Sequence, residues 1–450
     1  MRPFRVTAPP PVLAVVAVVA LLGLPAAPDG AGGAGPADLA SGLVVLFCAL
    51  LLVRARRRPL TCEAAVVLGL PVAGVALAAA GATPPTGLAG LVRYLQVFVL
   101  VPAAVVLLVR NRSDARLLAW SMVGLALWQG AIGVQQYATG TGASYQGEDI
   151  RAVGTFGPGD VMGMATTVSF GLVCAVGLAL GRTAGRARWI AAGCALLLLP
   201  PLAVSFSRGA WIATAVTCTV QLVLAGLRRA LTVAAAVTAA AVVLVGGLGV
   251  GSALLQQRFT SITQVTAAPD QSVTDRYTLW AAATGMWHTH PLTGVGLKNF
   301  PQYRDGYASL ALSSGSDTGG AGAAFRRQPL LSPHNMYLLV LSEQGVLGLL
   351  ALAGSWLALL VCALRGLVRV RRRAAAGLDC ALLACGLLVW QLVDFFYSDI
   401  GGPSTVLSAV CLGLVAWWAL VGGERPGRAD DSGARGSGPV RRGAEEAGVR

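Results

Sequence analysis

His334 is the residue of this chain best suited to proton transfer. It is one of three histidines, and it follows Pro333 at the start of a long apolar stretch. An imidazole, with an ordinary pKa of about 6.5, can act as a general base at neutral pH. Alternatively, the His334 side chain has a structural role, either as the cap of the helix that begins there or with its hydrogen bonds satisfied at the membrane interface. Glu343 is a secondary candidate, although it lies about 13.5 Å further along an unbroken helix and reaches His334 only if the segment bends.

Two arginines lie in segments where a guanidinium could hold phosphate. Arg208 lies in the run Ser207-Arg208-Gly209 between two apolar stretches, and Arg276 lies within the apolar stripe of a predicted helix. A guanidinium binds phosphate through two parallel hydrogen bonds, so both arginines suit an anionic leaving group. The alternatives are that Arg208 extends to lipid headgroups and that Arg276 forms a salt bridge, for example with Asp275.

Metal chemistry is not favoured by the residue pattern. His288-x-His290 could form half of a zinc site, but all nine cysteines lie within or at the edges of apolar stretches and few carboxylates are near. A zinc site needs three or four such ligands together, and we therefore expect no metal and no cofactor. The run Gly294-Val295-Gly296 could be a turn or a backbone phosphate nest, and the pattern alone does not separate these two.

These residues are carried on a chain that is 55% apolar and only 12% charged. Soluble domains carry about 25% charged residues, and the apolar residues here fall in blocks of roughly 17 to 25, which is the length that crosses a bilayer. The sequence therefore predicts an all-α polytopic membrane protein with about twelve transmembrane helices. The predicted spans are 9–27, 38–53, 62–81, 88–109, 116–137, 159–180, 189–206, 210–227, 230–251, 336–364, 376–396 and 403–422.

The basic residues give an orientation to these spans. Most of the 34 lysines and arginines fall in alternate gaps that include both termini, and cytoplasmic loops accumulate such residues. We therefore expect cytoplasmic termini, and we attribute the net charge of +14 to membrane orientation rather than to nucleic-acid binding. The first span is interpreted as an anchor, with a cleaved signal as the alternative. The predicted organisation is spans 1–9 in 1–251, a large extracytoplasmic loop in 252–332, spans 10–12 in 333–422 and a disordered cytoplasmic tail in 423–450.

The order of several short motifs resembles the O-antigen ligase and polymerase family over roughly residues 150–365. Each motif is weak alone, but their order and the position of the large loop are typical of the family. The motifs are Arg151 to Phe156, Ser207-Arg208-Gly209, Arg276 with Trp280, His290-Pro291-Leu292 with Gly294-Val295-Gly296 and Phe300, and His334-Asn335 followed by Glu343-x-Gly345-x-x-Gly348.

This resemblance implies a metal-independent, inverting glycosyltransferase of the class C membrane type in the plasma membrane. Such an enzyme takes a glycan from undecaprenyl diphosphate and passes it to an acceptor hydroxyl at the outer face. Carried over to this chain, it implies that His334 is catalytic and that Arg208 and Arg276 hold the diphosphate. Arg151 and Arg93 are secondary candidates, as is the glutamate named above.

The sequence leaves the acceptor open. A ligase-like transferase is the favoured interpretation, with a polysaccharide polymerase or a protein O-oligosaccharyltransferase as alternatives that differ in the acceptor. A transporter or flippase of lipid-linked sugars is the alternative from another class. The concentration of polar groups at outer span ends and the absence of an evident repeat favour transfer. Arg93 and Asp394 lie within predicted spans, where each lines the site or pairs with a neighbour.

Overall fold

The computed structural model describes most of the chain. Residues 252–270 of the predicted outer loop and the predicted tail at 423–450 lie outside the described residues. The described residues are 10–25, 35–55, 60–79, 86–145, 151–181, 185–241, 271–309, 312, 316–320, 326–328, 330–373, 376–402 and 404–422.

Helices dominate the described chain. The first eleven precede the large loop, and a π-helical turn at Gln96–Leu100 joins α4 to α5. These are α1 (Leu13–Leu21), α2 (Pro36–Ala55), α3 (Cys62–Ala79), α4 (Thr86–Leu95), α5 (Val101–Leu108), α6 (Arg112–Thr139), α7 (Gly163–Leu180), α8 (Arg186–Leu197), α9 (Leu199–Val204), α10 (Arg208–Ala225) and α11 (Leu227–Ala241). The later ones are α12 (Gln271–Thr289), α13 (Phe300–Tyr307), α14 (Met336–Arg372), α15 (Leu378–Asp394) and α16 (Thr405–Ala416), which a π-helical turn extends over Trp417–Val421.

Eight helices of the described chain are long and apolar enough to cross a membrane. The chain is thus a multi-pass membrane protein with a helical membrane part, as the sequence predicted. The other four predicted spans coincide with shorter helices, namely α1, α11, α15 and the Thr405–Val421 segment. The qualifying segments are Pro36–Arg54, Cys62–Ala79, Gly87–Leu108, Arg112–Thr139, Gly163–Leu180, Arg186–Val204, Arg208–Ala225 and Met336–Arg372.

The core lies where α7, α15 and α16 pack together. Nearly every side chain of these three helices is buried, which accounts for their apolar character on all faces. Phe170 of α7 contacts Trp390 of α15 with ring centroids 4.4 Å apart, and the indole nitrogen of Trp390 donates to Thr214 of α10 at 3.0 Å. This packing fixes the end of α15 and the start of α10, where the candidate site lies.

The two longest predicted outer loops meet in a small antiparallel sheet. Strand β1 (Ala143–Tyr145) pairs with β2 (Ser316–Gly320), and β2 pairs with β3 (Arg326–Gln328). The prediction of a purely helical fold did not include this sheet, because the strands are short and lack alternation of apolar and polar residues. The sheet joins the loop before α7 to the loop before α14.

Candidate active site

His334 lies immediately before α14 in a backbone conformation that a histidine seldom adopts. Its φ is 49°, in the left-handed region, whereas the cap of the helix is Asn335, whose side chain accepts from the Leu338 nitrogen at 3.0 Å. The capping role left open for His334 thus belongs to its neighbour. The Met336 nitrogen donates to the carbonyl oxygens of Phe395, at 2.9 Å, and Ser398, at 3.0 Å. The start of α14 is therefore tied to the turn that follows α15.

The imidazole of His334 faces a carboxylate from that turn. Its Nδ1 atom lies 3.8 Å from Oδ2 of Asp399, which also accepts a hydrogen bond from the Ser332 hydroxyl. The His334 side chain is 46% exposed and that of Asp399 is 12% exposed, so the imidazole is open to the outside whereas the carboxylate is largely buried. Desolvation lowers the pKa of His334, the Asp399 carboxylate raises it, and the charge of Arg276 lowers it further. The net direction is down, which keeps the imidazole neutral at pH 7.

Arg276 of α12 lies within electrostatic range of His334. One helical turn further on, the indole nitrogen of Trp280 donates to the carbonyl oxygen of Pro333 at 2.9 Å, which docks α12 against the residue that precedes His334. Leu279 and Ala283 are buried on the same side of the helix, as the predicted stripe requires. The structure therefore brings Arg276 into electrostatic contact with His334.

Arg208 begins α10 beside the same turn. The Ser207 hydroxyl caps the helix by accepting from the Ala210 nitrogen at 3.3 Å. A side chain on Gly209 would lie 3.0 Å from Cβ of Tyr397, two residues before Asp399, so the start of α10 abuts the turn that holds the carboxylate. The Arg208 side chain is exposed at this position.

The segment that begins at Arg151 lies against the end of α9, four residues before α10, through its backbone. The Ala152 nitrogen donates to the carbonyl oxygen of Val204 at 3.2 Å. Two glutamines of α6 hold the following residues. Gln136 accepts from the nitrogens of Val153, at 3.0 Å, and Gly154, at 2.8 Å, and donates to the Gly154 carbonyl at 2.9 Å.

Gln129 completes this attachment of the loop to α6. It accepts from the Thr155 nitrogen at 2.9 Å and donates to the Thr155 hydroxyl at 2.6 Å and to the carbonyl oxygen of Leu22 at 3.0 Å. Neither glutamine was among the residues predicted from the sequence. Their polarity within an apolar stretch was the available signal, since buried amides in a membrane span need partners.

Helix α14 is broken at Gly345, and the motif around Gly294 replaces its lost hydrogen bonds. Gly345 has a φ of 66° and a ψ of −169°, so the carbonyls of Ser342 and Glu343 lose their helical partners. The nitrogens of Val295 and Gly296 donate to these carbonyls at 2.9 and 3.0 Å. The backbone nitrogens that the break frees also find partners. The Val346 nitrogen donates to the carbonyl oxygen of Pro291 at 2.9 Å, and the Leu347 nitrogen donates to that of Leu292 at 3.3 Å.

This exchange explains why glycines stand at both positions. A side chain on Gly294 would lie 2.5 Å from the Gln344 nitrogen, and one on Gly345 would lie 2.5 Å from the Thr293 nitrogen. Backbone meets backbone here, and irregular backbone at membrane depth is tolerated only where its polar groups are satisfied. Of the two interpretations of Gly294-Val295-Gly296, the structure supports a tight backbone junction rather than an anion nest.

Glu343 belongs to this junction and not to the His334 pair. It is 5% exposed, and its Oε1 accepts from the Phe300 nitrogen at 3.3 Å. The bend comes after Glu343, at Gly345, so the nine residues between His334 and Glu343 include no break that folds them together. Lys298, the single lysine of the chain, lies within Coulombic range of this carboxylate.

Backbone strain is concentrated in the segments that the sequence analysis singled out. Among the described residues, the non-glycine residues with positive φ are Phe206 (49°), Lys298 (59°) and His334 (49°). Such conformations cost on the order of 1–3 kcal/mol each and cluster at functional sites, where the surrounding structure holds them. Phe206 precedes the Arg208 helix and Lys298 lies in the segment docked on α14. His334 belongs to the pair with Asp399, Phe206 to the segment before α10, and Lys298 to the junction on α14.

The remaining polar candidates within predicted spans have partners. Arg93 of α4 forms an ion pair with Asp38 of α2 and donates to the Gln96 side chain at 3.2 Å and to the carbonyl oxygen of Gly402 at 2.5 Å. Asp394 accepts from the Ser398 hydroxyl and so braces the turn before Asp399. Of the alternatives left open for these two, the structure shows pairing with a neighbour.

No cluster of three or more histidine, cysteine, aspartate or glutamate side chains with the geometry of a metal site occurs in the described part of the chain. His288 and His290 are both exposed at the end of α12 and just beyond it. His334 places an imidazole beside the Asp399 carboxylate, with the guanidinium groups of Arg276 and Arg208 on neighbouring elements.

A family comparison covers this part of the chain. Residues 193–353 match the model of the O-antigen ligase family, and the match includes Arg208, Arg276 and His334 but neither Arg93 nor Arg151. No curated protein matches the chain significantly. The resemblance drawn from the motifs is thus confirmed over that segment. The chain is thus a multi-pass membrane protein in which residues 193–353 are similar to the O-antigen ligase family.

Proposed function

We propose that this protein transfers a glycan from undecaprenyl diphosphate to an acceptor hydroxyl in an O-antigen ligase-like reaction. The observation that carries the proposal is the placement of His334 beside the Asp399 carboxylate and within Coulombic range of the Arg276 guanidinium, with His334 and Arg276 both in the segment that matches the family. A base and a cation side by side suit a reaction that removes a proton at one atom and releases an anion at another.

In the proposed reaction, Nδ1 of His334 is protonated and faces Asp399, which leaves the lone pair of Nε2 for the acceptor. Nε2 takes the hydroxyl proton as the acceptor oxygen attacks the anomeric carbon. The bond between that carbon and the diphosphate oxygen breaks on the opposite face, and its electron pair leaves with undecaprenyl diphosphate. The configuration at the anomeric carbon is therefore inverted.

The leaving diphosphate gains negative charge as the glycosidic bond breaks. Arg276 and Arg208 would stabilise this charge, each through paired hydrogen bonds and without a metal ion. Removal of one such donor costs on the order of 10²–10³ in rate in enzymes of comparable design. Arg151 is a secondary candidate for a contact with the donor, in a segment whose Ala152 nitrogen donates to the carbonyl oxygen of Val204.

The proposed setting is the plasma membrane, with about twelve spans, cytoplasmic termini and an extracytoplasmic site. The starts of α10 and α14 meet at the site, and the opposite end of α14 carries Arg369, Arg371 and Arg372 in its last turn. Basic residues at that end agree with a cytoplasmic location. The acceptor, which separates a ligase from a polymerase or a protein O-oligosaccharyltransferase, is not specified by these contacts.

The test is a transfer assay in proteoliposomes with a defined undecaprenyl-diphosphate glycan, in the presence of EDTA. Arg276→Ala and Arg208→Ala should each lower the rate of diphosphate release by on the order of 10²-fold. The matched control is Arg188→Ala, which removes an exposed arginine from α8, away from the site. Full activity of both site variants, or a requirement for added divalent metal, would contradict the mechanism. Donor that crosses the bilayer uncleaved would indicate a flippase.

A further inference from the structure

The turn at 399–402 is held in place from outside its own chain segment. The carbonyl oxygen of Gly402 accepts from Nη2 of Arg93 at 2.5 Å, and Arg93 is itself paired with Asp38. Just beyond the turn, the Ser404 nitrogen donates to Oδ2 of Asp160 at 3.0 Å. Helices α2 and α4 on one side and the segment before α7 on the other thus fix the polypeptide that carries Asp399.

The fit around this turn leaves little room for movement. A side chain on Gly402 would lie 2.5 Å from Oδ2 of Asp160, so backbone and carboxylate are in direct contact. The Thr405 hydroxyl donates to the carbonyl oxygen of Gly401 at 2.6 Å. Gln96 adds to the anchor on the other side, because its amide donates to Asp38 at 3.3 Å and to the Ser41 hydroxyl at 2.8 Å.

The position of Asp399 determines how strongly it acts on His334. At 3.8 Å from Nδ1 the carboxylate is in Coulombic contact, and this interaction falls steeply if the turn relaxes into solvent. The groups that face the pair are the Ser332 hydroxyl, which donates to Asp399, and Arg276, which acts on His334. The carboxylates of Asp394 and Glu343 also lie within electrostatic range of Asp399.

We propose that Arg93 is a positioning residue for the reaction, which acts by holding the Gly402 carbonyl and so keeps Asp399 against His334. Arg93 touches neither imidazole nor substrate in this role. The inference rests on the proposed function of His334 as the general base. It assigns a purpose to an intramembrane arginine whose ion pair with Asp38 would otherwise be structural only.

A positioning role and a direct electrostatic role of Arg93 predict opposite shifts in the pKa of His334 when Arg93 is replaced. A nearby positive charge disfavours imidazolium, so loss of that charge alone would raise the pKa of His334 and move the acid limb of the rate profile to higher pH. Loss of the anchor weakens the effect of Asp399, which stabilises imidazolium, and so moves the acid limb to lower pH. The direction of the shift therefore separates the two roles.

The experiment measures the pH profile of kcat/KM for transfer by the full-length protein in proteoliposomes. We expect Arg93→Gln to move the acid limb to lower pH, in the direction of Asp399→Asn, and Arg93→Lys to restore part of the original position. In the double variant, Arg93→Gln should add no further shift to that of Asp399→Asn. The matched control is Arg116→Gln, which breaks an ion pair with the buried Asp379, formed at 2.5 Å between α6 and α15. It should leave the limb unchanged.

The outcomes separate this inference from the proposed function. A limb that is unmoved or moves to higher pH in Arg93→Gln, or shifts that add in the double variant, would overturn the positioning role. The positioning role is also overturned if Arg93→Gln and Arg116→Gln lower the folded fraction and the rate equally and their pH profiles of kcat/KM do not differ. If His334→Ala retains full turnover, the proposed function itself fails, whatever the Arg93 variants show.

Discussion

Nδ1 of His334 lies 3.8 Å from Oδ2 of Asp399, at a point where the backbone of His334 is left-handed. The carboxylate comes from the turn after α15, and the imidazole precedes α14, so two distant parts of the chain create the pair. In the proposed reaction, Nδ1 faces Asp399 and Nε2 takes the proton of the acceptor hydroxyl.

The pH dependence of transfer should report this pair. The base must be neutral, so kcat/KM falls as the pH falls through the pKa of His334, which partial desolvation of the ring and the charge of Arg276 hold below its ordinary value. Asp399→Asn removes the group that raises this pKa and should shift the acid limb to lower pH. Arg276→Gln removes a charge that lowers the pKa of His334. In the pH profile of the activity that remains, the acid limb should therefore shift to higher pH. Shifts in the same direction for both variants would contradict the assigned contacts.

The junction between α14 and the 291–296 segment should be sensitive to a single methyl group. Gly345→Ala and Gly294→Ala each place a Cβ within 2.5 Å of backbone nitrogen in a left-handed conformation. We expect a loss of roughly 2–4 kcal/mol in stability, measured as a lower thermal midpoint in detergent. Gly306→Ala is the control, since a Cβ there meets nothing within 4 Å, and its midpoint should be unchanged or slightly raised. Equal midpoints for all three variants would contradict the junction.

The attachment of the 151–156 segment depends on Gln136. Gln136→Leu leaves the nitrogens of Val153 and Gly154 and the Gly154 carbonyl without their partner. Each unsatisfied buried group costs about 1–3 kcal/mol, so we expect a lower thermal midpoint and faster proteolysis near Arg151. Gln135→Leu makes the same change on the exposed face of α6 and should affect neither measurement. Proteolysis at the same rate in the two variants would show that the hydrogen bonds of Gln136 do not hold the segment.

Much of the helical fold could be predicted from the sequence because it rests on local signals. Apolar blocks of membrane length predicted the spans, and eight of them coincide with helices long enough to cross a membrane. The isolated polar motifs between the spans pointed to Arg208, Arg276 and His334, whose roles stay predictions. The family match covers all three. The charge pattern supplied an orientation for the spans, which stays a prediction.

The parts that the sequence did not predict depend on contacts between distant segments. Asp399 was missed because nothing local distinguishes it from Asp394, five residues earlier, which braces the turn through Ser398. The role of Gly294 required knowledge of the break at Gly345, since each segment looks like an ordinary turn or helix alone. The small sheet was missed because strand pairing across two loops leaves no periodic pattern in such short strands.

The central claim is that the imidazole of His334 removes the acceptor proton, and the initial rate of glycan transfer by His334→Ala in proteoliposomes tests it most directly. The control variants are His288→Ala and His290→Ala, which remove the two other histidines of the chain from exposed positions. General-base catalysis contributes about 10²–10⁴-fold, so His334→Ala, folded and inserted as the parent protein is, should lose that factor while both controls keep the parent rate. A rate for His334→Ala within about threefold of the parent, against that 10²–10⁴-fold expectation, would contradict the account.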